Sequence, residues 1–168
     1  MSAALKLRAN LRRADVAAIG ELVARTGVFN AEEIETAREL AAENIAKGAE
    51  ASGYQFLIAD GADGIDGYTC FGPIPGTYRR FDLYWIAVDP RNQKANLGRA
   101  LIAATEAAVL REGGVILFAE TSTRADYAPA HRFYSASGYV RVAEVADYYA
   151  DKDGLAIYAK RLSHAKAG

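Results

Sequence analysis

A chain of 168 residues, 51% of them hydrophobic, is long enough to bury a sizeable core and short enough to form one domain. Its 20 Lys and Arg balance 21 Asp and Glu, so it lacks the basic footprint that nucleic acid or an anionic membrane selects. No apolar stretch approaches the ~20 residues that span a bilayer, and residues 1–10 lack the apolar core of a secretory signal, so a cytoplasmic location is expected.

Residues 5–8 alternate Leu5, Lys6, Leu7 and Arg8 as a first strand does, and residues 15–25 carry Val16, Ile19, Leu22 and Val23 at helical spacing. The alanine-rich, charge-laced run 31–47 predicts a second helix, stopped by Gly48. Two apolar runs, 54–59 and 65–71, flank the turn dipeptides Asp60-Gly61 and Asp63-Gly64 and predict an antiparallel pair. Within the second, Cys70 is the sole cysteine: it allows no intrachain disulfide, argues against a Cys-based zinc site, and reads as a small core residue.

Residues 78–88 form a long strand in which Phe81, Leu83, Trp85 and Ala87 alternate with Asp82, Tyr84, Ile86 and Val88; two mostly apolar faces make it central. Asp89-Pro90 end it. Residues 97–110 put Leu97, Leu101, Ala104 and Ala108 on one helical face, closed by Gly113-Gly114. The apolar strand 115–119, reached through a helical crossover, should run parallel to the strand before it. A short helix, 129–136, ends at Gly138, and the runs 139–145 and 155–160, joined by a polar segment at 151–154, close the chain as an antiparallel pair. With no repeat or linker, this order predicts a single α/β (α+β) domain with a mixed sheet.

The sharpest chemical signal is Trp85-Ile86-Ala87-Val88-Asp89-Pro90-Arg91-Asn92-Gln93-Lys94-Ala95-Asn96-Leu97-Gly98-Arg99-Ala100-Leu101, a strand, a polar loop and a helix. The first turn of a helix has orphan amide donors and a partial positive charge, so a diphosphate can sit there; Arg91, Lys94 and Arg99 add local charge. The spacing alone fits a plain strand-to-helix turn with solvated basic residues equally well. A Rossmann-type nucleotide site is excluded, because no three-glycine loop follows an N-terminal strand.

The segment resembles the acetyl-CoA loop of the GNAT N-acetyltransferases, Q/R-x-x-G-x-G/A after a strand ending in V-x-P: Gln93, Asn96 and Gly98 take the fixed places behind Val88 and Pro90. Asn96 stands where the family has its first glycine, and Asn is the non-glycine residue best able to adopt a left-handed backbone. A second block, residues 127–139, resembles the family's N-x-x-A-x-x-F-Y-x-x-x-G-F helix and strand, with Ala130, Phe133, Tyr134 and Gly138 matching, Tyr139 in place of Phe and Tyr127 in place of Asn. The resemblance implies one N-acetyltransferase domain over residues 1–168, with a core from about residue 5 to residue 162. It also implies the single-domain GNAT fold: a central mixed, mostly antiparallel sheet of about seven strands flanked by about four helices, with a splayed parallel strand pair.

It further implies acetyl-CoA as cofactor, with CoA as product. The residues carried over as cofactor-binding are Ile86, Ala87 and Val88 of the strand, Gln93, Lys94, Ala95, Asn96, Leu97, Gly98, Arg99 and Ala100 of the loop and helix, and Phe133 and Tyr134 of the later helix. Tyr134 would lie beside the thioester sulfur; in isolation it reads equally as a core aromatic.

Acyl transfer to an amine needs a neutral amine, a polarised thioester carbonyl and a stabilised thiolate. An alkylammonium with a pKa near ~10 must lose a proton, so a carboxylate is the expected base, directly or through water. Glu120, placed just after the strand 115–119, is the first candidate, and Asp82, further back along its own strand, the second; either also reads as an ordinary surface or edge carboxylate. A backbone N–H of Ile86 or Val88 would meet the oxyanion. A phenol at ~10 and a thiol at ~8.5 make full proton transfer uphill by about 2 kcal/mol in water, so Tyr134 should first hydrogen-bond the thiolate. His131 and His164 have no metal-ligand spacing, and no metal is expected.

Glu32, Glu33, Glu35, Asp147, Asp151 and Asp153 would either attract a cationic amine or be solvated faces, and Tyr78, Phe81, Tyr84, Tyr148 and Tyr149 would line an acceptor pocket or belong to the core. The expected reaction is acetyl transfer to a primary amine of a small molecule, by direct attack in a ternary complex. The alternatives are a protein or peptide N-terminal or lysine acetyltransferase, and a non-catalytic acyl-CoA-binding regulatory module. Neither nucleic acid nor membrane is expected as a partner; a homodimer is one assembly open to the chain, whose oligomeric state the sequence does not fix.

Overall fold

The computed structural model describes residues 6–92 and 96–164. Its strands are β1 (Leu7–Arg8), β2 (Gln55–Gly61), β3 (Gly64–Pro73), β4 (Arg80–Val88), β5 (Ile116–Ser122), β6 (Val140–Ala150) and β7 (Asp153–Arg161). Helices α1 (Arg13–Thr26), α2 (Ala31–Lys47) and α3 (Ala49–Ser52) precede β2, α4 (Leu97–Arg111) joins β4 to β5, and α5 (Ala128–Ala136) precedes β6. The strands form one mostly antiparallel sheet in the order β1-β2-β3-β4-β5-β7-β6, with β4 and β5 its parallel pair. This is the expected mixed architecture, and none of the described helices is long and apolar enough to cross a membrane.

Three elements depart from the pattern read in the sequence. The one-turn α3 lies between Gly48 (φ 83) and Gly53 (φ 76), whose left-handed backbones isolate it from α2 and β2. A 3-10 turn, Ala125–Tyr127, leads into α5, whose Pro129 sits in the first turn where no amide donor is missed. Strand β5 runs on to Ser122, so Glu120 is an interior strand residue rather than the residue after its end.

By contact, the chain divides into two compact units, Met1–Gly72 with Trp85–Thr105, and Pro73–Tyr84 with Glu106–Gly168. In the first, Arg8 clamps β1 to its neighbours. Its guanidinium donates to both oxygens of Asp15 on α1, at 2.7 Å each, and to Asp60 on β2 at 2.8 and 2.9 Å. Ile19, Leu22 and Val23 of α1, Ala37 and Ala41 of α2, and Phe56, Ile58, Tyr68 and Cys70 of the sheet are fully or almost fully buried. Burial pushes the Cys70 thiol well up, which leaves it a core residue as its sequence context predicts. Gly67 on β3 lets α4 approach closely: a Cβ there would stand 2.9 Å from the Ala87 carbonyl oxygen and 3.0 Å from Leu101.

In the second unit, β7 pairs antiparallel with both β5 and β6. The parallel register of β4 and β5 takes in only Arg80↔Ile116 to Leu83↔Ala119, although both strands continue further. Lys160 on β7 reaches both oxygens of Glu106 on α4 at 2.9 Å and the Ser137 carbonyl at 2.9 Å, while the Tyr139 hydroxyl donates to Glu106 at 3.0 Å. This knot fixes the turn after α5.

The Gly67 contact makes a simple prediction. Gly67→Ala should overpack the β3–α4 seam and cost about 1–3 kcal/mol, read from the urea midpoint; an unchanged midpoint would mean that α4 is not held against Gly67.

Candidate active site

The backbone after β4 is organised around Asp89, whose carboxylate is 3% exposed. Its Oδ2 accepts from Nε and Nη2 of Arg25 at 3.0 and 2.7 Å and from Nη2 of Arg91 at 2.8 Å; Oδ1 accepts from the Arg91 amide at 2.9 Å. The Asp89 amide donates to the Asp66 carbonyl at 2.7 Å, and its carbonyl accepts from the Asn92 amide at 2.9 Å. The Asn92 side chain in turn donates to the Asp66 carboxylate. The Arg91 guanidinium first, then the Arg91 amide and the Arg25 guanidinium, hold the Asp89 carboxyl well below the usual carboxylate range, so it is ionised throughout the working range.

Beyond this turn Gln93, Lys94 and Ala95 lie outside the described residues. The chain is described again at Asn96, which has φ 85, the left-handed conformation that its place in the family pattern requires. Its carbonyl accepts the amide of Ala100 at 2.9 Å, the first bond of the helical series, so the amides of Leu97, Gly98 and Arg99 belong to the turn that has no intrahelical acceptor. Leu97 and Leu101 are buried with Ala59, and Ile86 and Val88 pack against them. Gly98 and Ala100 are half-buried, and Arg99 is exposed. These residues suit an anionic diphosphate: orphan amides, the positive end of a 15-residue helix, and the Arg99 cation. Arg91 is committed to Asp89 rather than directed at a ligand.

The acid–base candidates lie in the second unit. Asp82 is in register with Phe118, and Glu120 follows Phe118 by two residues, so both carboxylates lie on one face of neighbouring strands. Asp82 is half-buried and Glu120 exposed. Burial pushes the Asp82 carboxyl up to about 6, and the Glu120 charge adds to the shift.

Tyr134 is on the opposite face of β5. Ala119 is in register with Tyr158 on β7, and the Tyr134 ring lies against Tyr158 with centroids 5.3 Å apart. Phe133 and Tyr139 enclose it further at 5.6 and 5.7 Å. Burial, reinforced by Tyr158, pushes its pKa well up, so Tyr134 stays a proton donor, and its hydroxyl has no hydrogen-bond partner among the described residues.

Several residues prove to be engaged in ways that the sequence does not disclose. His131 has a partner, the Ser122 carbonyl at 2.8 Å from Nε2, and its ring stacks on Tyr158; His164 is exposed. Glu33 caps α2 by accepting the Asn30 amide at 2.8 Å, and Glu35 pairs with Arg38 at 3.1 Å. Asp147 accepts the Lys152 amide at 2.7 Å, and Asp153 holds Ser122 and Arg124. Of the aromatics, Phe81 is core, Tyr78 lies outside β4 and is exposed, and Tyr148 and Tyr149 stack edge-on on β6. The network missed from sequence is Asp89–Arg25–Asp66–Asn92. An Asp-Pro-x-Asn turn was legible there, but Arg25, 64 residues away, carries no local signal.

The Acetyltransferase (GNAT) domain model matches residues 52–141, more than half of the chain. Among solved structures, a Desulfovibrio desulfuricans protein assigned to the GNAT acetyltransferases is 40% identical, with 94% of this chain and 99% of that one covered at a TM-score of 0.90. The Escherichia coli ribosomal-protein-S18-alanine N-acetyltransferase is 20% identical (97% and 97% covered, TM-score 0.73). The Salmonella typhimurium protein YncA, solved with its cofactor acetyl-CoA, is 18% identical (99% and 98% covered, TM-score 0.71). No curated protein sequence matches the chain. The chain belongs to the GNAT acetyltransferase family, whose members draw their acetyl group from acetyl-CoA.

The backbone at residue 96 separates two substitutions. Asn96→Gly should leave acetyl-CoA affinity intact, whereas Asn96→Val, a β-branched residue at φ 85, should weaken it at least about tenfold in a calorimetric titration. Equal affinities would show that the left-handed residue is not what shapes the loop.

Proposed function

We propose that this enzyme transfers the acetyl group of acetyl-CoA to a primary amine of a small molecule, by direct attack in a ternary complex, with Asp82 as the group that takes the amine proton. The observation that carries this reading is the Asp82–Glu120 pair. A carboxyl titrating at about 6 is ionised at neutral pH and accepts a proton better than an ordinary carboxylate. Glu120, exposed on the same face, relays the proton to solvent and adds the negative field that draws an ammonium in. This ordering puts Asp82 ahead of Glu120, because burial matters more than closeness to the strand end.

When bound, acetyl-CoA supplies an acetyl group already activated as a thioester. The free amides of Leu97, Gly98 and Arg99 would hold its diphosphate, with the Arg99 side chain as the cation beside them. A backbone N–H of Ile86 or Val88 polarises the carbonyl. Tyr134, kept protonated by burial, would be the donor to the thioester sulfur.

A small acceptor is favoured because Glu33, Glu35, Asp147 and Asp153 are spent on caps, turns and ion pairs. Asp82 and Glu120 supply a paired negative charge on one strand face, which suits one ammonium better than an extended basic surface. A cytoplasmic location belongs to the same reading.

Two experiments test it. The pH profile of kcat/KM should have an acid limb near 6 that Asp82→Asn removes along with most activity, while Tyr134→Phe lowers kcat and leaves acetyl-CoA binding unchanged. An unaltered limb in Asp82→Asn would rule Asp82 out as the base. For stability, a carboxyl raised in the fold binds more protons than in the unfolded chain between its ordinary 3.8 and about 6, so the Asp82 contribution to unfolding free energy should fall as pH rises through that window. Asp82→Asn should abolish that slope and raise Tm at neutral pH; a lowered Tm would mean that ionised Asp82 is stabilised by the fold.

A further inference from the structure

Strand β6 ends the sheet, pairs with β7 alone and is exposed along all of its eleven residues. Val140 (63% exposed), Val142 and Val145 lie in its first half, and an edge of this length with exposed valines is a template for pairing with another strand. The register with β7 shows how its side chains are sorted. Val140, Ala143 and Val145 stand opposite Ala159, Ile157 and Leu155, whereas Arg141 and Glu144 stand opposite Tyr158 and Ala156. Val142 is the extra residue of a bulge between Arg141 and Ala143. In an unbulged strand Val140 and Val145 would point to opposite faces. The bulge brings them to one face and collects Arg141 and Glu144, 2.8 Å apart, on the other.

We propose that β6 is a self-association surface whose occupant is β6 of a second copy, running antiparallel about a two-fold axis beside Val142 and Ala143. In that register Val140 faces the second copy's residue 145, and Arg141 faces its residue 144, each twice by symmetry. The valine pairs share one face, and the charges close into an alternating ring of two arginines and two glutamates on the other. Charge self-complementarity at this spacing is what a second copy requires and an unrelated extended peptide does not. Because the pairing is isologous it closes at a dimer instead of growing into a fibre. It stands independently of the acetyl-transfer chemistry.

Sedimentation equilibrium on the full chain tests the register through charge exchange. Wild type should sediment at twice the 18.0 kDa chain mass. Arg141→Glu alone puts four acidic groups in the ring and Glu144→Arg alone puts four basic ones, so each should dissociate at least about tenfold more readily. An equimolar mixture of the two restores both opposite-charge pairs and should recover the dimer. Val145→Lys, at an exposed position, should dissociate it without touching the ring. Circular dichroism of each variant establishes that it is folded. A wild type at 18.0 kDa throughout, variants that dimerise as tightly as wild type, or a mixture that stays monomeric would each overturn the proposal; a monomeric wild type that bound an extended acceptor peptide would assign the edge to substrate instead.

Discussion

The turn that ends β4 is set by one buried carboxylate. Asp89 sits where water cannot solvate it, so its charge persists only because two guanidinium groups and a backbone amide satisfy it. The same residue ties its own amide to Asp66 and its carbonyl to Asn92, so side-chain electrostatics fix the backbone of the turn from Asp89 to Asn92. Arg25 extends the dependence to the end of α1, so a change 64 residues away in sequence acts on the turn after β4.

In the second unit, strand periodicity separates the two kinds of proton chemistry. Alternation on β4 and β5 places Asp82 and Glu120 on one face, and the register of β5 with β7 places Tyr158, and with it Tyr134, on the other. The β4–β5 ladder gives out after Leu83↔Ala119, next to Glu120 in sequence. Burial then tunes the two sides in one direction: it raises the Asp82 carboxyl to where it accepts a proton readily and keeps the Tyr134 phenol a donor.

Much of this was legible in the sequence, for identifiable reasons. Hydrophobic period and turn dipeptides gave the strand and helix order because each element buries one face. Asn96 was readable as a glycine surrogate because so few residues tolerate positive φ, and it has φ 85. What escaped was long-range. Arg25 carries no mark of Asp89, and the partner of His131 depends on how α5 docks against β5. The greater burial of Asp82, on which its proposed place ahead of Glu120 rests, is a property of three-dimensional packing that strand position cannot convey. Glu120 fell inside β5 because the Thr121–Ser122 pair is buried and continues the strand, although polarity suggested an end.

The central claim is that the α4 N-terminus and the loop before it bind acetyl-CoA. Calorimetric titration of the protein with acetyl-CoA and with CoA, repeated on Gly98→Trp, addresses it most directly, because an indole at that half-buried glycine fills the space in front of the orphan amides. Saturable binding by wild type that Gly98→Trp abolishes, with its fold intact, is the predicted result. Absence of binding by wild type, or equal binding by Gly98→Trp, would contradict the account.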